Sequence, residues 1–140
     1  MPDKGPDSAG SGQSFFPILT PMDYAPAPSS DQLAAVRDAL APGGSVSVER
    51  RIQGGLGCTM DVLRVGEPGR TPARMILRRY GTWYAENKPR AAEIEFEVLG
   101  HLQRHGVPAP EPVWVDRQGV FEQPALIIGF VVGQAPKQPD

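Results

Sequence analysis

The stretch Pro89-Arg90-Ala91-Ala92-Glu93-Ile94-Glu95-Phe96-Glu97-Val98-Leu99-Gly100-His101-Leu102-Gln103-Arg104 carries the strongest helical signal in the chain and decides its fold. Proline suits a first turn, where its missing N–H has no partner to lose, and Gly106 with Pro108 stops the helix after about Arg104. With Ile94 at zero and roughly 100° per residue, Val98, Ala91, Leu102 and Leu99 fall at about 40°, 60°, 80° and 140°. Glu95 falls at about 100°, in the middle of that apolar arc, whereas Glu93, Glu97 and Arg104 project between about 260° and 300° toward water.

A carboxylate aimed at a core has to be paired or neutralised, because burying it alone costs several kcal/mol. Its partner is sought on the strand Arg74-Met75-Ile76-Leu77-Arg78-Arg79-Tyr80. Alternation there puts Met75, Leu77 and Arg79 on one face and Ile76, Arg78 and Tyr80 on the other, so Arg78 or Arg79 is the expected mate. Taken alone, such a pair is equally a helix-to-sheet ion pair that fixes register.

Around this pair the sequence reads as an α+β domain. Ser30 is the expected N-cap of a short helix from Asp31 to about Ala41, ended by Pro42-Gly43-Gly44. Extended runs at Val46 to Ile52, Met60 to Val65 and Arg74 to Tyr80 form an antiparallel meander. They are punctuated by a Gly-rich turn at 54–57 and by Gly66-Glu67-Pro68-Gly69. After the long helix come Pro110 to Val115, a turn over Asp116 to Gly119, and Ala125 to Val132, whose nearly all-apolar run marks a central strand. The expected fold is a five-stranded antiparallel sheet with one long helix and a short N-terminal helix. No internal repeat is evident.

The composition bounds the possibilities. Of 140 residues, 16 are Gly and 16 Pro, about twice ordinary usage, and 9 of these fall in the first 30 positions. Residues 1–29 therefore read as a disordered Pro/Gly/Ser-rich tail, 30–133 as the domain, and 134–140 as a linker. Before Asp31 the charged side chains are Lys4, Asp3, Asp7 and Asp23. The remainder carries 13 basic and 13 acidic groups, too balanced for sequence-independent nucleic-acid or anionic-membrane binding. With no membrane-length apolar run and no signal-peptide core, the expected location is cytoplasmic. The single Cys58 closes no internal disulfide; it reads as a small-residue position, with a redox-sensing thiol as the other option. His101 and His105 share a helix without a third ligand, so no metal site is expected. Trp83 and Tyr84 are expected to pack on the first turn of the long helix.

A Gly-rich hairpin can bring backbone amides against phosphates where a side chain would intervene. Gly54-Gly55-Leu56-Gly57, a basic residue on the third strand and a carboxylate on the following helix together make a constellation that holds a nucleoside triphosphate in kinase-like folds. Over about residues 31 to 137 the chain resembles the N-terminal lobe of the aminoglycoside phosphotransferase family, small-molecule kinases with a protein-kinase-like fold. The resemblance rests on Gln53-Gly54-Gly55-Leu56-Gly57-Cys58-Thr59, Met75-Ile76-Leu77-Arg78, Ile94-Glu95-Phe96-Glu97-Val98-Leu99, Gly106-Val107-Pro108-Ala109-Pro110 and Pro124-Ala125-Leu126-Ile127-Ile128-Gly129-Phe130-Val131-Val132-Gly133, in that order.

The resemblance implies an ATP-binding lobe. Gly54, Gly55 and Gly57 would cover the phosphates, Arg78 would contact them, Glu95 would orient Arg78, and Phe130, Val131 and Val132 would meet adenine at a hinge. Mg2+ would accompany ATP, and the γ-phosphoryl group would pass to a hydroxyl of a small-molecule acceptor. The family's His-Gly-Asp catalytic loop, its Asn and its metal-binding Asp belong to a C-terminal lobe and have no counterpart here. His105-Gly106-Val107 lacks the Asp. The 140 residues are therefore expected to be inactive alone, with no catalytic and no metal-binding residue among them. The alternative expectation is a non-catalytic nucleotide-binding or interaction module, or an inert truncated remnant.

Overall fold

A computed structural model of the chain describes residues 25–52 and 57–130. Its elements, in order, are α1 (Ser30–Leu40), β1 (Ser45–Ile52), β2 (Cys58–Gly66), β3 (Ala73–Tyr80), α2 (Thr82–Asn87), α3 (Ala91–Arg104), β4 (Pro112–Val115) and β5 (Ala125–Gly129). The strands form one sheet in the order β1-β2-β3-β5-β4 with every neighbouring pair antiparallel. This is the α+β architecture with the meander and the five strands that the sequence predicts. β5 lies between β3 and β4 and buries Ala125, Leu126, Ile127 and Ile128, as its apolar run requires.

Strand alternation divides the interior between the two faces of the sheet. On one face Leu63, Val65, Leu77 and Ile127 pack with Val36 of α1 and with Phe121. On the other, Leu126, Ile128 and Val115 pack with Ala92 and Leu99 of α3, and Ile76, Phe96 and Leu102 close the edges. The turn before Phe121 is built by Asp116, whose carboxylate accepts from the backbone N–H groups of Gln118, Val120 and Phe121. No helix among the described residues is long and apolar enough to cross a membrane.

Several boundaries differ from the sequence expectation for identifiable reasons. The N-cap of α1 is Ser29, not Ser30. Ser29 Oγ accepts from the Gln32 N–H while Gln32 Oε1 accepts from the Ser29 N–H, a reciprocal capping box that fixes the start one residue earlier. Residues 25–29, assigned to the disordered tail, belong to the domain. Ala25 is buried and its N–H donates to Thr59 Oγ1 at 2.8 Å. α3 begins at Ala91 rather than at Pro89, and a separate short helix, α2, precedes it, started by Gly81, whose carbonyl accepts from Tyr84 and Ala85. β4 starts at Pro112, not Pro110, and β5 ends at Gly129.

The apolar arc of α3 is also rotated from the one read off the sequence. Ile94 and Val98 are half exposed, at 53% and 50%, while Ala92 and Leu99 are buried. The buried arc thus runs from Leu102 through Leu99 to Ala92 and Phe96, and Glu95 stands at its edge rather than in its middle. Ile94 and Val98 extend the apolar arc in sequence, but nothing among the described residues covers them. The final turn closes on Val107, whose N–H reaches the Leu102 carbonyl at 2.9 Å around Gly106 at φ +73°.

Candidate functional site

The strand that carries the basic residues lies beside β2, and its register fixes where each guanidinium points. Arg78 is opposite Met60 and Tyr80 is opposite Cys58, so all four share the face covered by α3. Arg79, one residue on, is carried to the other face. Of the two candidate mates for Glu95, the structure selects Arg78: its Nη1 donates to Glu95 Oε2 at 2.8 Å. The second carboxylate oxygen, Oε1, accepts the hydroxyl of Tyr80. Tyr80 is steadied in turn by an edge-on contact with Tyr84 of α2, their ring centroids 4.9 Å apart, and Tyr84 meets Trp83 edge-on at 5.1 Å. Trp83 and Tyr84 therefore belong to α2 rather than packing on the first turn of α3; Tyr84 packs against Tyr80, and Trp83 against Tyr84.

The guanidinium of Arg78 retains unused donors. Nη2 has only the sulfur of Met60, at 3.7 Å, and Nε is buried without a hydrogen-bond partner among the described residues. The side chains of Arg78 and Glu95 are 29% and 20% exposed, so the pair is open to a ligand from solvent. Burial, followed by the hydrogen bond to Glu95, pushes the Tyr80 phenol well above its ordinary pKa, which keeps it a donor. Burial also pushes the Cys58 thiol up, with Arg78 opposing and Glu95 adding to the shift. A thiol held protonated is a poor nucleophile.

Of the three glycines expected to cover phosphates, Gly54 and Gly55 lie outside the described residues. Gly57 is buried, adopts φ +75°, and its carbonyl accepts the Gly81 N–H at 2.7 Å, which ties the end of the turn to the start of α2. Val131 and Val132 also lie outside the described residues. Phe130 follows Gly129, which pairs with Met75, and so stands level with Arg74, four residues along β3 from Arg78, roughly 13 Å away at the strand rise. With Arg64, Pro72 and Arg74 it lines a depression of about 370 Å3 that does not include Arg78 or Glu95.

The sequence reading missed a second arginine–carboxylate cluster on the opposite face. Arg79 Nη2 donates to Asp61 Oδ2 at 2.7 Å with both side chains 2% exposed, and Arg51 Nε donates to Asp61 Oδ1 at 3.0 Å. The guanidinium of Arg79 also stands 5.6 Å from the Phe121 ring centroid. The signal was present: Asp61, Leu63 and Val65 alternate on one face of a strand, and the rule that singled out Glu95 applies equally to Asp61.

The fold and site define an α+β domain whose antiparallel sheet carries the partly exposed Arg78–Glu95 pair on the α3 face and the closed Arg79–Asp61 pair on the other. Comparison of the chain with protein-family models, curated proteins and solved structures finds no match.

Proposed function

We propose that the chain is the ATP-binding, protein-kinase-like N-terminal lobe of a small-molecule phosphotransferase of the aminoglycoside phosphotransferase type. The observation that carries this reading is the partly exposed Arg78–Glu95 pair on the β2–β3 face, with Arg78 opposite Met60, three residues beyond Gly57. Arg78 fits a phosphate, since among the described residues Nη2 meets only a thioether and a phosphate oxygen would satisfy it. Glu95 fits the orienting role, one oxygen on Arg78 and the other on Tyr80. Both oxygens being committed, Glu95 does not fit a magnesium ligand, and no group of three His, Cys, Asp or Glu stands together among the described residues. Mg2+ would enter with the nucleotide and find its protein ligands in a second, C-terminal lobe, which would also supply the groups that position the acceptor hydroxyl. Bound there, the metal neutralises charge on the β- and γ-phosphates.

In that assembly the residues of this chain bind and orient. The sheet face excludes water above the nucleotide, Arg78 donates to phosphate oxygens, and Phe130 to Val132 supply the hinge for adenine. The test is a calorimetric titration of the chain with Mg-ATP. Weak binding by the wild type that is lost in Arg78→Ala is expected, and indistinguishable heats for the two proteins overturn the assignment. One observation favours the rival reading, a non-catalytic module: Arg79–Asp61 shows that the same fold uses an arginine–carboxylate pair purely to fasten the sheet. The same titration separates the two.

A further inference from the structure

Glu95 has two oxygens and Arg78 offers an end-on fork, Nη1 and Nη2, that a carboxylate can grip with both. It does not do so. One oxygen reaches Nη1 at 2.8 Å, while the other is taken by the hydroxyl of Tyr80, leaving Nη2 with only the Met60 sulfur, at 3.7 Å, among the described residues. Tyr80 is placed to hold this arrangement. It lies two residues beyond Arg78 on the same face of β3, its ring is braced edge-on by Tyr84, and its backbone N–H is fixed by the Pro124 carbonyl at 2.8 Å. A two-point grip would neutralise the guanidinium more completely and occupy the edge of it that now lacks an oxygen partner.

We infer that Tyr80 is a positioning residue: by holding Oε1 of Glu95 it restricts the carboxylate to a single contact with Arg78 and keeps Nη2 available to an anionic, phosphate-bearing ligand. Replacing the hydroxyl by hydrogen removes the competitor for Oε1. Glu95 then swings onto the free Nη2, and the guanidinium that would have met the ligand is already occupied. This inference rests on the phosphate-binding reading of the same site, and its consequence runs against a merely structural role. Loss of a packing contact loosens the fold, whereas loss of this hydrogen bond tightens the Arg78–Glu95 pair while weakening the ligand.

The experiment combines nuclear magnetic resonance with calorimetry on the full chain, comparing wild type, Tyr80→Phe, Glu95→Gln and the double variant, with Mg-ATP as the probe. The Glu95 side-chain carboxyl and Arg78 guanidinium resonances are expected to move in Tyr80→Phe. Mg-ATP affinity is expected to fall about tenfold, the usual scale for one charge-assisted hydrogen bond. In the Glu95→Gln background the tyrosine substitution is expected to change affinity little, because the competing charge is gone. Unmoved resonances in Tyr80→Phe overturn the inference, as does an equal loss of affinity in both backgrounds. Moved resonances in a wild type that binds no Mg-ATP leave the positioning role standing and overturn the phosphate-binding reading instead.

Discussion

Replacing Asp61 by alanine is the severest test of how this sheet is held. Asp61 is 1% exposed and accepts from Arg79 Nη2 at 2.7 Å and from Arg51 Nε at 3.0 Å. Arg51 is 40% exposed and returns to water when its partner goes, so its share of the loss is about 1 kcal/mol or less. Arg79 has no such route. It is 2% exposed, its Nε already lacks a partner among the described residues, and burial pulls its guanidinium pKa down, with Asp61 opposing that shift. Stranding that charge costs about 3–5 kcal/mol. Domains of this size are stable by about 5–15 kcal/mol, so the loss is a large fraction of the whole. Urea unfolding followed by the fluorescence of Trp83 and Trp114 reads it directly. At an m-value of about 2 kcal/mol/M, the midpoint falls by about 2 M. Joining Asp61→Leu to Arg79→Met removes both charges and is expected to recover most of the loss. A fall below about 1 kcal/mol for Asp61→Ala, or a double variant no better than the single, would refute the reasoning that a buried, closed pair fastens this face.

Two further perturbations probe other parts of the structure. Gly44→Ala is expected to destabilise by about 1–3 kcal/mol or more in urea unfolding, because a Cβ there would stand 2.0 Å from the Gly66 carbonyl oxygen, where β1 leaves α1 to pair with β2. Gly69→Ala, where a Cβ meets nothing within 4 Å and only the φ of +76° is unfavourable, serves as the milder control. The second concerns pH. The folded pKa of Tyr80 is raised above its unfolded value of about 10, so its contribution is fully present below that pH and drains away as pH climbs toward the folded value. Tyr80→Phe is therefore expected to flatten the decline of stability above about pH 10, measured by thermal unfolding across the alkaline range. An unchanged slope would contradict it.

How much of this was legible in the sequence depended on whether the deciding interaction was periodic or individual. The strands, their antiparallel order and the central place of β5 followed from alternation and turn residues, because every residue of a run reports the same face. The carboxylate at Glu95 and the basic strand were found by the same means. The choice between Arg78 and Arg79 needed the β2–β3 register, which places Arg78 on the α3 face and Arg79 on the opposite face, across from Thr59. The rotation of α3 was not legible, since Ile94 and Val98 are as apolar as Leu99 and only the position of the sheet determines which is covered. Nor was the extra capping residue, because Ser29 and Ser30 are both good caps, and Gln32 settles the matter through a side-chain bond to Ser29 alone.

Arg78 and Arg79 are adjacent in sequence, and each meets one carboxylate, yet the two pairs stand in opposite surroundings. The difference lies in what is left over. Asp61 draws donors from two arginines and is shut from water, so every interaction there is spent on the fold itself. Glu95 shares its second oxygen with a tyrosine instead of with its arginine, and the side chains of the pair remain 20–29% exposed. Fixed charge with spare hydrogen-bonding capacity within reach of solvent is what anion recognition needs, and a pair shut from water cannot provide it. Under the proposed phosphate-binding role, Arg78 would supply the contact, and Tyr80 would keep Glu95 from using all of it.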